Sequence, residues 1–422
     1  MQLYNVLTRR VETFEPAGSA VSLYVCGITP YDTTHLGHLF TYTSFDVLVR
    51  YLEYLGHTVR YVQNVTDIDD DILRKADSVE ADWQELGNRW TRHFIDDNVA
   101  LNIRPPDYFP RATDVVAEML GVVEDLLIAG LAYEVEGSVY FQVGRDPDYG
   151  QLSGLDYEEM LPVANERGNH PDDPNKRDPL DFVLWQAQAP GEPAWDSPWG
   201  PGRPGWHIEC STMATKYLGL PVDIHGGGAD LIFPHHESEI AQAEYATGHR
   251  PFSRYWLHTA MVRHEGEKMS KSLGNLVMVR DLLEAGWSAD ALRLYMAGHH
   301  YRDPWSHDDA DLARAAELAR RLEQAVGLSG GDGPALSVEM YRAAFQAAMD
   351  NDLDTAVAGE TLTQLASEIE EAAEQQRGVE AAQDFLREAA AVLGLRLGQT
   401  GPEPRVQQGW TQHRQGFAAA VH

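Results

Sequence analysis

The stretch Val21-Ser22-Leu23-Tyr24-Val25-Cys26-Gly27 decides the fold, because Val21, Leu23 and Val25 alternate with Ser22 and Tyr24. That alternation is the signature of a strand, here ending at Cys26-Gly27. Pro30-Tyr31-Asp32 then turns the chain, and Phe45, Leu48, Leu52 and Leu55 recur at helical spacing before a stop at Gly56. Thr58 to Val62 reads as a second strand. Strand, loop, helix and strand in this order predict a right-handed parallel crossover, whose ligands bind beyond the carboxyl ends of the strands. His35-Leu36-Gly37-His38 falls at that edge, at the start of the helix. Free N–H groups and partial positive charge there suit a phosphate.

Working outward, Arg104-Pro105-Pro106 and the polar, proline-rich stretch from Asn165 to Pro179 break this rhythm. The expected class is α/β, a Rossmann-type parallel sheet divided by an insertion and followed by helices. Its expected parts are a first catalytic half over 1–104, a connective insertion over 105–200 and a second half over 201–326. The second half resumes near Trp206, runs through a strand at Val222 to His225 into Gly226-Gly227-Gly228, and continues through Trp256 to Val262. It then reaches the string Lys268-Met269-Ser270-Lys271-Ser272. A linker is expected at Gly327 to Pro334 and a helical bundle over 335–396, on the stripe Leu362, Leu365, Ile369 and Ala372. The Gly-, Gln- and Pro-rich residues 397–422 are expected to form a flexible tail.

With 422 residues, 43% of them hydrophobic, and 10 Trp, the chain is long enough for two or three domains. It has no apolar run of membrane-spanning length, and its start lacks the basic and apolar regions of a signal peptide. A cytoplasmic monomer without membrane contact is expected. Basic residues number 33 against 65 acidic ones, a formal net charge of -32. Nucleic-acid affinity scales with Lys and Arg contacts that release counterions, so this balance disfavours wrapping a large RNA. General acidity is also what adaptation to high salt produces.

Two cysteines, Cys26 and Cys210, cannot make a disulfide framework. Cys26 ends the first strand, Cys210 follows Trp206-His207-Ile208-Glu209, and His235 and Glu239 stand four apart. On a helix those two would share a face and reach one ion. Zinc accepts thiolate, imidazole and carboxylate. Without a CxxC pair, the spacing by itself favours two small buried apolar residues over zinc ligands.

As a set, Cys26 to His38, Asn64-Val65-Thr66-Asp67, Gly202 to Cys210, His225 to Asp230, Phe233 to Glu237 and the Lys268 string resemble class I cysteinyl-tRNA synthetases. They equally resemble the synthetase-like cysteine ligase of the mycothiol pathway. The resemblance implies a Zn2+ held by Cys26, Cys210 and His235, with Glu239 a candidate fourth ligand. It implies that Cys26, Gly27, Ile28, Thr29, Thr41, Asn64, Val65, Thr66, Trp206, Gly228, Ala229, Asp230 and Val262 surround cysteine and its adenylate, Asp230 facing the ammonium. It also implies that His35, His38, Lys268 and Lys271 act on the phosphates of ATP, which enters with Mg2+.

The acceptor of the cysteine separates the two likenesses. Cys26-Gly27-Ile28-Thr29-Pro30-Tyr31-Asp32, His38 and Glu166-Arg167-Gly168 look like the ligase that joins cysteine to the amine of glucosaminyl-inositol. The likeness to the tRNA enzymes implies a basic anticodon-recognition module after the helical bundle, whereas 27 residues follow Leu395 here. Glu239 and Leu52 to Asp70 look more like the tRNA enzymes. The reading adopted is the glucosaminyl-inositol ligase, with tRNA, a carrier protein or another amine as rival acceptors.

Overall fold

The computed structural model describes residues 1–31, 34–269 and 273–418. Its central sheet is parallel, ordered Ser253–Thr259, Val222–Gly228, Ala20–Ile28 and Thr58–Val65. The first crossover is the predicted one, with the helix Leu36–Tyr54 between Ala20–Ile28 and Thr58–Val65. Phe45 on this helix packs so close to the sheet that a methyl group at Gly226 would meet its ring, which is why glycine is needed there. The chain continues outward from Ala20–Ile28 in one half and from Val222–Gly228 in the other. Those neighbouring strands therefore form the switch point, the crevice where open α/β sheets bind ligands.

Between the halves lies an antiparallel sheet of Ala132–Val135, Ser138–Phe141, Phe182–Ala187 and Gly202–Pro204. It runs past the expected boundary at residue 200, directly into the helix Trp206–Leu218. The helices Asp309–Val326, Glu339–Asp350, Thr355–Glu374 and Glu380–Val392 bury Leu362, Leu365, Ile369 and Ala372. Their apolar core is continuous with that of the first crossover. Buried Arg50 and Arg293 tie the two together by donating to the carbonyls of Ala391 and Leu393 while both pair with Asp46.

Residues 327–334 connect two helices without an element of their own, as expected, and Gly331 and Gly333 pin them by donating backbone bonds to Arg377 and Gln376. One expectation fails: the tail is not loose, because Pro404–Ala418 is a helix. It seats Val406, Trp410 and Phe417 in the core, and the Trp410 indole donates to the Ile103 carbonyl at 2.8 Å. Among the described residues no helix is long and apolar enough to cross a membrane.

Candidate metal and adenylation site

The first strand carries Cys26 to the carboxyl edge of the sheet at the switch point, and the register pairs Tyr24 with His225 on the neighbouring strand. Gly27 follows, pressed against the backbone of Asn64 with no room for a side chain. Gly205 caps Trp206–Leu218, and this helix brings Cys210 to the same point. His235 arrives differently from the helical placement expected. It lies in the wide turn Ile232–His236, broken at Phe233 by extended backbone, and the regular helix begins only at Glu237. The turn still brings His235 Nε2 to 3.2 Å from Glu239 Oε1.

Ligand atoms of Cys26, Cys210, His235 and Glu239 lie within 4.8 Å of one another, all buried. Cys26, His225, His236 and Glu239 form a second set sharing two members. Glu239 Oε2 lies 3.2 Å from His225 Nε2 yet makes no hydrogen bond. Burial, then the adjacent Cys210 and Glu239, push the Cys26 thiol up, and burial does the same to the Glu239 carboxyl. Burial holds His225 near 3, and burial with neighbouring imidazoles holds His235 and His236 well below the usual range. Neutral imidazoles beside crowded acidic groups and an orphaned carboxylate oxygen are what a divalent cation would satisfy. Two sulfurs, one nitrogen and one oxygen form a donor set suited to Zn2+.

A shell of aromatic and polar groups orients this cluster. Trp206 stacks on His235 with ring centroids 4.3 Å apart, and His207 Nδ1 meets His235 Nδ1 at 3.0 Å. His236 Nδ1 meets His258 Nε2 at 2.7 Å. Asn64 Oδ1 accepts from Gly27 N–H at 2.8 Å, Asn64 Nδ2 donates to Thr66 Oγ1 at 3.2 Å, and Thr66 Oγ1 donates to Glu209 Oε2 at 2.8 Å. Ile28 and Val65 are paired neighbours, and Thr29 follows at the same edge.

On the other flank, Thr41 Oγ1 meets Thr259 Oγ1 at 2.7 Å, and Thr259 is paired with Gly228. Ala229 and Asp230 begin the short turn after Gly228, and Val262 is buried on the adjoining strand. His35 caps the first helix by accepting at Nδ1 from Gly37 N–H, and its ring stacks on His38 at 3.9 Å. The flanks of the two signature motifs are bonded together, since Leu36 N–H donates to Val277 and Val279 N–H to Thr34. Lys271 and the Lys268 side chain lie outside the described residues.

The structure adds Glu209, His225 and His236, which sequence reading did not single out as site residues. Polar residues inside otherwise apolar elements were the available signal. Only the strand pairing and the 232–236 turn show where they converge.

Residues 13–317 match the family described as tRNA synthetases class I (C) catalytic domain, and residues 344–398 match the DALR domain. A cysteine--tRNA ligase of Dehalococcoides mccartyi is 45% identical over 404 residues, 94% of this chain and 86% of that protein. The L-cysteine:1D-myo-inositol 2-amino-2-deoxy-alpha-D-glucopyranoside ligase of Thermomonospora curvata is 47% identical over 338 residues, 80% of this chain and 81% of that protein. The structure of Mycobacterium tuberculosis methionyl-tRNA synthetase in complex with methionyl-adenylate covers 94% of this chain and 93% of its own, with a TM-score of 0.61 at 16% identity. That last likeness is one of fold.

Proposed function

The chain belongs to the class I tRNA synthetase (C) catalytic-domain family, and from that premise we propose that it is an ATP-dependent ligase that activates cysteine and transfers it to the amine of glucosaminyl-inositol. The observation that carries the cysteine reading is the buried meeting of Cys26, Cys210, His235 and Glu239 at the switch point of the sheet. Zinc held by those residues would supply a soft Lewis acid for the thiolate of the amino acid, which serine and alanine lack. A pocket selecting by size alone gains only about 1 to 3 kcal/mol per methylene-sized difference.

The protein's own groups carry the remaining work. The cysteine carboxylate attacks the α-phosphorus of ATP, pyrophosphate leaves, and the acceptor amine then displaces AMP from the acyl carbon. His35 and His38, at the N-terminus of Leu36–Tyr54, take the phosphates together with Mg2+. Lys268 and Lys271 offset the charge that builds on the leaving pyrophosphate. Thr41, Thr66, Trp206 and Asp230 position the amino acid, with Gly27, Ile28, Thr29, Asn64, Val65, Gly228, Ala229 and Val262 forming the surrounding wall.

Two observations support a small sugar amine as acceptor. Arginines that could meet a phosphate backbone, including Arg302, Arg321 and Arg342, are paired with carboxylates of the same chain. Arg167, in the Glu166-Arg167-Gly168 element, donates to the carbonyl of Phe233 and so braces the turn that carries His235. The second reading is transfer to tRNA, favoured by Glu239 in the donor cluster and by the 94% span of the Dehalococcoides relative.

Purified protein given labelled cysteine and ATP, with total tRNA in one reaction and glucosaminyl-inositol in another, tests the choice. Label in the sugar amine is expected. Label in tRNA alone overturns it.

A further inference from the structure

Glu209 is fully buried on the helix Trp206–Leu218, one residue before Cys210, and its Oε1 makes no hydrogen bond among the described residues. Its other oxygen is bonded to Thr66. The bonds leading to it orient the Asn64 amide and the Thr66 hydroxyl in turn. Gly27 N–H has only a proton to offer, so Asn64 presents Oδ1 to it and must turn Nδ2 toward Thr66. The Thr66 hydroxyl has one proton and two lone pairs. One lone pair takes the Asn64 proton, and the hydroxyl's own proton goes to Glu209 Oε2. A carboxyl proton on Oε2 would reverse this bond, so the assignment is that of a carboxylate that is ionised or protonated at the unpartnered Oε1. What remains on Thr66 is a single lone pair, just past the carboxyl end of Thr58–Val65, where Thr66 N–H donates to the Ile28 carbonyl.

We infer that Glu209 is a positioning residue that makes the Thr66 hydroxyl an obligate acceptor and thereby selects the α-ammonium group of the substrate. The inference rests on the cysteine reading above and deepens it. A cysteine whose sulfur sits among Cys26, Cys210 and His235 has its thiolate and carboxylate as acceptors. Its ammonium is the one cationic donor, and that group lies a few bonds from the sulfur. A hydroxyl free to rotate could turn its proton toward the ammonium or toward a carboxylate, whereas one whose proton is committed to Glu209 can only accept.

The test compares cysteine with 3-mercaptopropionate, which keeps the thiol and carboxylate and lacks the amine. In ATP–pyrophosphate exchange, Glu209→Leu raises KM for cysteine about tenfold, the scale of one lost hydrogen bond to a charged group. Its kcat, KM for ATP and inhibition constant for 3-mercaptopropionate stay within about twofold of the parent, as loss of one contact made equally in the ground and transition states requires. Zinc content stays at the parent level. Glu209→Gln, whose amide oxygen can accept the same bond, restores the parent KM for cysteine. If Glu209→Leu does not fold, Glu209→Met gives the same comparison.

The inference is overturned by an unchanged KM for cysteine in the apolar variant. Equal weakening toward both thiols overturns it as well, as does a Gln variant no better than Leu. Parent protein that exchanges no pyrophosphate with cysteine defeats the cysteine reading itself, a result distinct from these.

Discussion

Replacing Gly27 by alanine is the sharpest perturbation the structure offers. A methyl carbon there would lie 2.6 Å from the carbonyl carbon of Asn64 and closer still to its oxygen. The oxygen, at 1.6 Å, is the limiting contact, and restoring an ordinary separation of about 3 Å or more requires the two strands to part by more than about an ångström. Both obstructing atoms are backbone, and no rotamer relieves the clash. The displacement would break the bond from Gly27 N–H to Asn64 Oδ1 and carry Cys26 away from Cys210 and His235. Overpacking of this kind costs about 1 to 3 kcal/mol of stability. A misplacement of about 1 Å at a reacting centre costs about a hundredfold in rate. Gly27→Ala is therefore expected to melt lower, to hold less zinc, and to lose about two orders of magnitude in cysteine-dependent pyrophosphate exchange. A variant with parental zinc and a parental exchange rate would refute the reasoning.

Trp410→Ala removes edge contacts to Phe109 and Phe94 and the bond to the Ile103 carbonyl. It is expected to cost about 3 to 5 kcal/mol in urea denaturation with KM for cysteine unchanged. Lys271→Ala is expected to slow pyrophosphate exchange by about tenfold or more with an unchanged melting curve, since on the proposed reading it removes one cation from the leaving group. Burial holds His207, His225 and His258 neutral, each down to about 3. The unfolded chain protonates them near 6.5, so it binds more protons than the fold does below that pH, and stability falls as pH drops from 6.5 toward 3. The slope is up to about 1.4 kcal/mol per pH unit for each histidine, measurable by denaturation at successive pH values. A rise in stability on acidification through that window would contradict the assignment.

The strand, helix and strand around Cys26 were legible because alternation and helical spacing are local signals, and the helix Leu36–Tyr54 lies where its apolar residues put it. The tail was misread for the opposite reason. Val406, Trp410 and Phe417 are spread through a Gln-rich segment, and their value depends on Ile103, Phe94 and Phe109 some 300 residues earlier in the chain. The candidate site divides in the same way. Cys26, Cys210, His235 and Glu239 could be named from motif and likeness. The place of His225 in the cluster depends on its register with Tyr24, and that of His236 on the broken turn at Phe233. Glu209 was unreadable as a functional group, because its meaning lies in which way the Thr66 proton points.

Cysteine and serine compared in ATP–pyrophosphate exchange, on protein prepared without chelators and with its zinc quantified, tests the central claim most directly. The account predicts about one zinc per chain, lost in Cys210→Ser, and exchange with cysteine but not serine. Protein without zinc that activates the two amino acids equally would contradict it.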